Sequence, residues 1–277
     1  NTPASAVRHF VDPLEDEELE WDNFAYTFNT SCHSCHVSQL ENNYNHEDGN
    51  YITTWKEAGI NCETCHGPSE EHAKIFRKLK DGAERPEDIG LIVTKDFTHE
   101  QHNSSCAPCH AKMRSLTLSY PPGERFFDHF DLVTLEDPDF YPDGRDLGEN
   151  YTMTGWHQGG CAKSGMLDCI HCHTSSGRYR FANENPNGAC MPCHEKNVQN
   201  IWQHSQHPEG TKDIKCIACH MPKTTFARMD RTDHSMRPPM PAASIAFESP
   251  NACNICHTDK DSEWANNVVK KRRNPDY

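Results

Sequence analysis

Seven copies of one pattern, Cys-x-x-Cys-His, constrain this chain more than any other feature. They run from Cys32 to His36, Cys62 to His66, Cys106 to His110, Cys169 to His173, Cys190 to His194, Cys216 to His220 and Cys253 to His257. Zinc knuckles share the Cys-x-x-Cys pair, but they do not demand a histidine directly after it in every copy. Disulfides ignore that histidine altogether. Covalent haem attachment needs all three residues at this spacing: two thiols add across the vinyl groups of one porphyrin, and the adjacent His ligates its iron. The pattern predicts seven c-type haems. Their cysteines are Cys32, Cys35, Cys62, Cys65, Cys106, Cys109, Cys169, Cys172, Cys190, Cys193, Cys216, Cys219, Cys253 and Cys256. Their proximal ligands are His36, His66, His110, His173, His194, His220 and His257.

The haems answer a question that composition raises. Only 35% of the 277 residues are hydrophobic, and the mean hydropathy is -0.87. A chain this polar cannot offset its conformational entropy by burying side chains alone. Porphyrins are large, flat apolar bodies, so the expected fold is mainly α with extensive irregular loops and little β, wrapped around a continuous haem chain. The net charge of -14 excludes nucleic acid and anionic membrane as natural partners. Acidic runs such as Glu15-Asp16-Glu17-Glu18 read as solvated surface, and the basic cluster Lys270-Lys271-Arg272-Arg273 as the end of a helix. No apolar run is long enough for a membrane span. The start Asn1-Thr-Pro-Ala-Ser reads as a processed terminus. Haem attachment of this kind takes place outside the bacterial or archaeal cytoplasm, so the expectation is an exported protein, periplasmic or extracellular at the cell surface.

Of 19 histidines, seven are spent as proximal ligands. His33 and His171 lie inside the Cys-x-x-Cys loops and are badly placed for the far face of their own haem. Ten remain: His9, His46, His72, His99, His102, His129, His157, His204, His207 and His234. This excess predicts bis-His coordination, with His72, His102, His129, His157, His204, His207 and His234 as distal candidates. His204 and His207 are expected on one helical face, and His129 lies among Phe126, Phe127 and Phe130. Methionine is the competing axial ligand; with histidine in surplus, the eight methionines read as packing. The fifteenth cysteine, Cys161, reads as a small buried thiol, with an intermolecular bridge or a ligand to another group as the alternatives.

Motif spacing suggests an N-terminal three-haem lobe over 1–120, a linker over 121–168 wrapping the haem stack, and a C-terminal four-haem lobe over 169–277, together one compact unit. Turns are expected at Pro121-Pro122-Gly123, Asp137-Pro138 and Tyr141-Pro142-Asp143-Gly144. Helices are expected over 69–80, 195–206 and 261–272, the last with Trp264 and Val268 one turn apart.

Several stretches resemble a broad group of multihaem c-type cytochromes. They are Thr30-Ser31-Cys32-His33-Ser34-Cys35-His36, Gly59-Ile60-Asn61-Cys62-Glu63-Thr64-Cys65-His66-Gly67-Pro68, Tyr141-Pro142-Asp143-Gly144, Cys219-His220-Met221-Pro222, Asp233-His234-Ser235 and Pro250-Asn251-Ala252-Cys253. The group is similar to the tetrahaem cytochrome and hydroxylamine oxidoreductase superfamily. The resemblance implies parallel and perpendicular haem pairs in one chain, with His72, His129, His204, His207 and His234 as its recurring non-motif histidines. Such proteins often carry a helical repeat domain after the last haem; a chain ending at Tyr277 reads as a heptahaem member without it.

Two functions follow from the residues. Bis-His ligation fills both axial sites and points to electron relay, with redox partner proteins or an extracellular acceptor at its ends. Motifs near both ends and surplus histidines also suit a homopolymer filament, since head-to-tail contacts extend without closing. The alternative is a multihaem oxidoreductase of small nitrogen or sulfur compounds with one open-faced haem. No Cys-x-x-Cys-Lys motif supports it.

Overall fold

A computed structural model describes residues 28–29, 33–41, 43–117, 120–147, 151–181, 185–191, 193–226 and 229–273. Cys32 and His9 lie outside these residues. The chain divides into two compact units, Asn1–Cys109 with Ser115–Phe130, and His110–Arg114 with Asp131–Tyr277. The third motif straddles that division.

In the first unit, short hairpins alternate with helices. Val37–Ser38 pairs antiparallel with Glu57–Ala58, and Tyr44–Asn45 with Asn50–Tyr51. The helix Cys62–His66 begins at Asn61 through a reciprocal capping box: the Asn61 side chain accepts from the Thr64 amide, and Thr64 Oγ1 accepts from the Asn61 amide. Glu70–Lys78 follows, with Glu70 and Glu71 in its first turn and Arg77 and Lys78 in its last, each charge placed to suit the helix dipole. Phe126, 2% exposed, stacks on Phe130 at 5.1 Å, and its amide donates to Ser104 Oγ on the helix His99–His110.

The second unit contains the helix Thr152–Gln158, which buries Met153, Thr154, Gly155 and Trp156. Motif helices Cys169–Cys172, Cys216–His220 and Ala252–Cys256 are spaced around one longer hairpin, Lys223–Phe226 with Met229–Thr232. Asp168 and Asn251 start two of those helices by accepting from the amides of His171 and Cys253. The C-terminal helix Ser262–Arg273 packs against Pro241–Phe247 and buries Ala265 completely.

Every expected turn forms. Glu124 donates to the Pro121 carbonyl, Phe140 to Asp137 and Gly144 to Tyr141, the last with Gly144 at φ 86. The helix expected over 195–206 is two helices, Glu195–Gln199 and Ile201–Ser205. The break falls at Asn200, whose φ -114 and ψ 42 leave the helical region, while its amide and its side chain both donate to the Lys196 carbonyl. Gln206 then turns left-handed at φ 55, so His207 falls beyond the helix and does not share a helical face with His204. All sheets among the described residues are two-stranded.

Only nine hydrophobic side chains are buried among the described residues, four of them alanines. The described residues thus bury little apolar surface of their own.

Candidate functional site

Most described motif cysteines are carried on short helical turns, and Cys106 and Cys109 on the last turn of the longer helix His99–His110, so that each motif keeps its thiols and the following histidine on one short piece of backbone. Cys35, Cys62, Cys193 and Cys256 are exposed, and the other described motif cysteines are half-buried. Thiols of different motifs come together. In the first unit Cys35 donates to the Cys109 carbonyl at 3.6 Å, and in the second the Cys190 and Cys216 thiols hydrogen-bond to each other. That bond pulls Cys216 down to about 7 and pushes Cys190 up. Attachment points of different motifs are thus close inside each unit.

The histidines show a sharper pattern. An iron–imidazole bond of about 2 Å places two rings that share one iron with their centroids about 6.3 Å apart. Three pairs in the second unit stand at that separation. His173 faces His234 at 6.3 Å, His204 faces His220 at 6.1 Å with the rings 15° from parallel, and His207 faces His257 at 6.3 Å. Each pair joins one motif histidine to one of the distal candidates.

Backbone carbonyls orient these rings. The Nδ1 of His173 lies 3.0 Å from the Gly177 carbonyl, that of His234 2.7 Å from Thr232, that of His220 3.2 Å from Arg237 and that of His207 3.0 Å from Ser205. His66 and His72 do the same with Ile92 at 2.9 Å and Ile89 at 2.7 Å. A ring that donates through Nδ1 leaves the Nε2 lone pair for a metal, and the carbonyl raises its basicity. Burial lowers the pKa of His110, His220 and His234, keeping them neutral as ligation demands. Arg272, on the C-terminal helix, reaches the carbonyls of Ser205 and Gln206 and holds the turn between His204 and His207.

The remaining candidates lie elsewhere. His102 turns Nε2 to the Thr94 carbonyl at 2.9 Å, and His171, inside its motif loop, does so to Ala189 at 3.0 Å. His129 engages Thr117 Oγ1 through Nδ1 and Glu124 through Nε2. His157 sits on Thr152–Gln158, its pKa lowered by burial. His46 is exposed beside Tyr44. The carbonyl partners escaped sequence reasoning, because any residue supplies a carbonyl; Gly177, in the turn after His173, is the one with a local signature.

Residues 199–276 match the family described as Cytochrome c552. The chain is similar to cytochrome c-552 of Bacteroides thetaiotaomicron, 22% identical over 82% of this chain and 38% of that protein. It is also similar to cytochrome c-552 of Porphyromonas gingivalis, 23% identical over 80% of this chain and 37% of that one. The chain therefore spans under two fifths of the length of these curated relatives. Among solved structures, the outer cell wall cytochrome OcwA superposes with a TM-score of 0.61 at 18% identity, covering 91% of this chain and 66% of that one. Fold, motifs and relatives agree on a multihaem c-type cytochrome binding haem c and its iron. The separations of the paired rings would fit that group, with His173 and His234, His204 and His220, and His207 and His257 as the residues that would hold it.

Proposed function

We propose that the chain binds seven haems c and relays electrons through bis-His centres. The observation that carries this reading is the three facing pairs, His173 with His234, His220 with His204 and His257 with His207. When bound, haem supplies one-electron oxidation and reduction at iron. The protein's part is to fill both axial positions, orient each imidazole through a carbonyl and exclude a substrate from the metal. Saturated ligation leaves little to rearrange between oxidation states, which suits transfer over catalysis. His72, His102, His129 and His157 are the candidates for the other irons. Covalent haem attachment supports a place outside the cytoplasm, with redox proteins or an extracellular acceptor as partners. Surplus histidines that a neighbouring copy could ligate support extension into a filament, and the superfamily of tetrahaem cytochromes and hydroxylamine oxidoreductases is the wider kinship.

The test is electron paramagnetic resonance of the oxidised holoprotein, with haem counted against protein mass. Seven haems, all low-spin, are expected. His204→Ala, His207→Ala and His234→Ala should each convert one haem to high-spin. A high-spin signal in the unaltered protein would favour an oxidoreductase of small nitrogen or sulfur compounds, and three silent variants would refute the pairing.

A further inference from the structure

One short segment of the second unit touches two of the facing pairs. His234, which faces His173 at 6.3 Å, sits just beyond the hairpin's second strand with its Nδ1 2.7 Å from the Thr232 carbonyl. Three residues on, the Arg237 carbonyl lies 3.2 Å from Nδ1 of His220, which faces His204 at 6.1 Å. Side-chain bonds latch the stretch between them. The Ser235 amide donates to Asp233 Oδ1 at 2.7 Å, and Arg237 Nε donates to Ser235 Oγ at 3.0 Å. Ser235 is 0% exposed, so water does not compete for its hydroxyl. Met236 turns left-handed at φ 52, a conformation that a residue with a Cβ keeps only where its surroundings hold it. A second tie fastens the segment to the motif of His220: the Asp233 amide donates to the Pro222 carbonyl at 3.0 Å. Asp233 and Arg237 also line one cavity with Cys219, an attachment cysteine of that motif.

We propose that Ser235 and Arg237 are positioning residues shared by two irons, one latch setting the imidazole orientation of both the His173–His234 and the His204–His220 pair. The hydrogen bond from Arg237 Nε to Ser235 Oγ closes the turn at Met236. One end of that turn carries His234, and the other end presents the Arg237 carbonyl to His220. An axial imidazole whose Nδ1–H is held by a carbonyl is more basic, which favours ferric over ferrous iron and lowers the potential. Opening the latch loosens both imidazoles, so it moves two redox centres together. The inference rests on the bis-His reading of both pairs.

The experiment compares the natural holoprotein with Ser235→Ala, which removes the acceptor, Arg237→Met, which removes the donor, and Arg237→Gln. Glutamine places its Nε2 at the same position along the side chain as the arginine Nε but carries no charge. Paramagnetic proton resonance counts the affected haems through their methyl signals, and spectroelectrochemical titration reads their potentials. In Ser235→Ala and in Arg237→Met, the methyl signals of two haems should move and two potentials should rise, with every haem still low-spin. Each rise should be at most about tenfold in the reduction equilibrium, or about 59 mV for one electron. Arg237→Gln should keep the natural values. Signals that move at one haem or at none overturn the proposal, as does a glutamine variant that behaves like the methionine one. Arg237 is half-buried, so its variants decide the matter should Ser235→Ala fail to take up haem. His204→Ala and His234→Ala test the pairings separately: each should make a different single haem high-spin. If either stays wholly low-spin, that pairing is wrong and the proposal falls with it. If both turn high-spin while the latch variants move one haem or none, the shared latch alone is refuted.

Discussion

Gly159 and Gly160 are adjacent, and the structure separates them sharply. A Cβ at Gly159 would lie 2.6 Å from the Ser235 carbonyl oxygen and 3.2 Å from that of Trp156, whereas one at Gly160 would meet nothing within 4 Å. An ordinary carbon–oxygen contact is about 3.3 Å, so Gly159→Ala must move backbone by about 0.7 Å. Ser235 has no room to give: it is 0% exposed and its amide is held by Asp233 at 2.7 Å. Gly159 has φ -71, so alanine is not strained by φ there. Both substitutions restrict the unfolded chain equally, by about 0.4–1 kcal/mol, and that gain cancels when the two variants are compared. What remains is the overpacking cost, about 1–3 kcal/mol. Gly159→Ala should melt about 2–10 °C below Gly160→Ala. Because Ser235 follows His234, the Gly159 variant should also weaken axial ligation at one haem, read as a high-spin absorption band. Equal melting temperatures with identical spectra would refute the reasoning.

Two further outcomes follow from burial and charge. Arg145 and Asp143 pair at 2.5 Å with side chains 10% and 7% exposed, and Arg145 also donates to the Pro250 carbonyl. Burial alone would raise Asp143, but its hydrogen bonds to Arg145 and Ser249 outweigh burial and hold it below the usual carboxylate range. The resulting stability is present above the unfolded pKa of about 3.9 and is lost as pH falls through the lower folded value. Arg145→Met should cost about 3–5 kcal/mol at neutral pH by stranding that carboxylate, measured by denaturant titration; an unchanged midpoint would count against it. Chain produced without haem attachment should show no cooperative melt by circular dichroism, since so little of it is buried by its own side chains.

The sequence exposes the seven motifs directly and the spatial arrangement of the histidines only in part. A motif whose three functional residues fall within five positions carries its own evidence, and the caps that shape it, such as Asn61 and Asp168, are local too. The turns at 121–124, 137–140 and 141–144 were legible for the same reason, being set by proline and glycine over four residues. The Asn200 break was not legible: asparagine is tolerated in a helix, and only its backbone angles, φ -114 and ψ 42, show that this one interrupts it. The facing of His173 and His234, 61 positions apart, depends on packing that no local pattern encodes.

The left-handed turn at Gln206 explains how two histidines three residues apart face different partners. On a continuous helix His204 and His207 would lie on one face and address the same space. With the helix ended at Ser205 and Gln206 left-handed, His204 faces His220 and His207 faces His257. The Ser205 carbonyl is the pivot, accepting from His207 Nδ1 and from Arg272. Counting histidines cannot recover such an arrangement, but the committed nitrogen sorts them. His72 engages its carbonyl through Nδ1, as the paired His173, His207, His220 and His234 do. His102 engages Thr94 through Nε2, as His171 does from inside its motif loop. By that criterion His72 is grouped with the paired rings, whereas His102 commits its Nε2 to the Thr94 carbonyl.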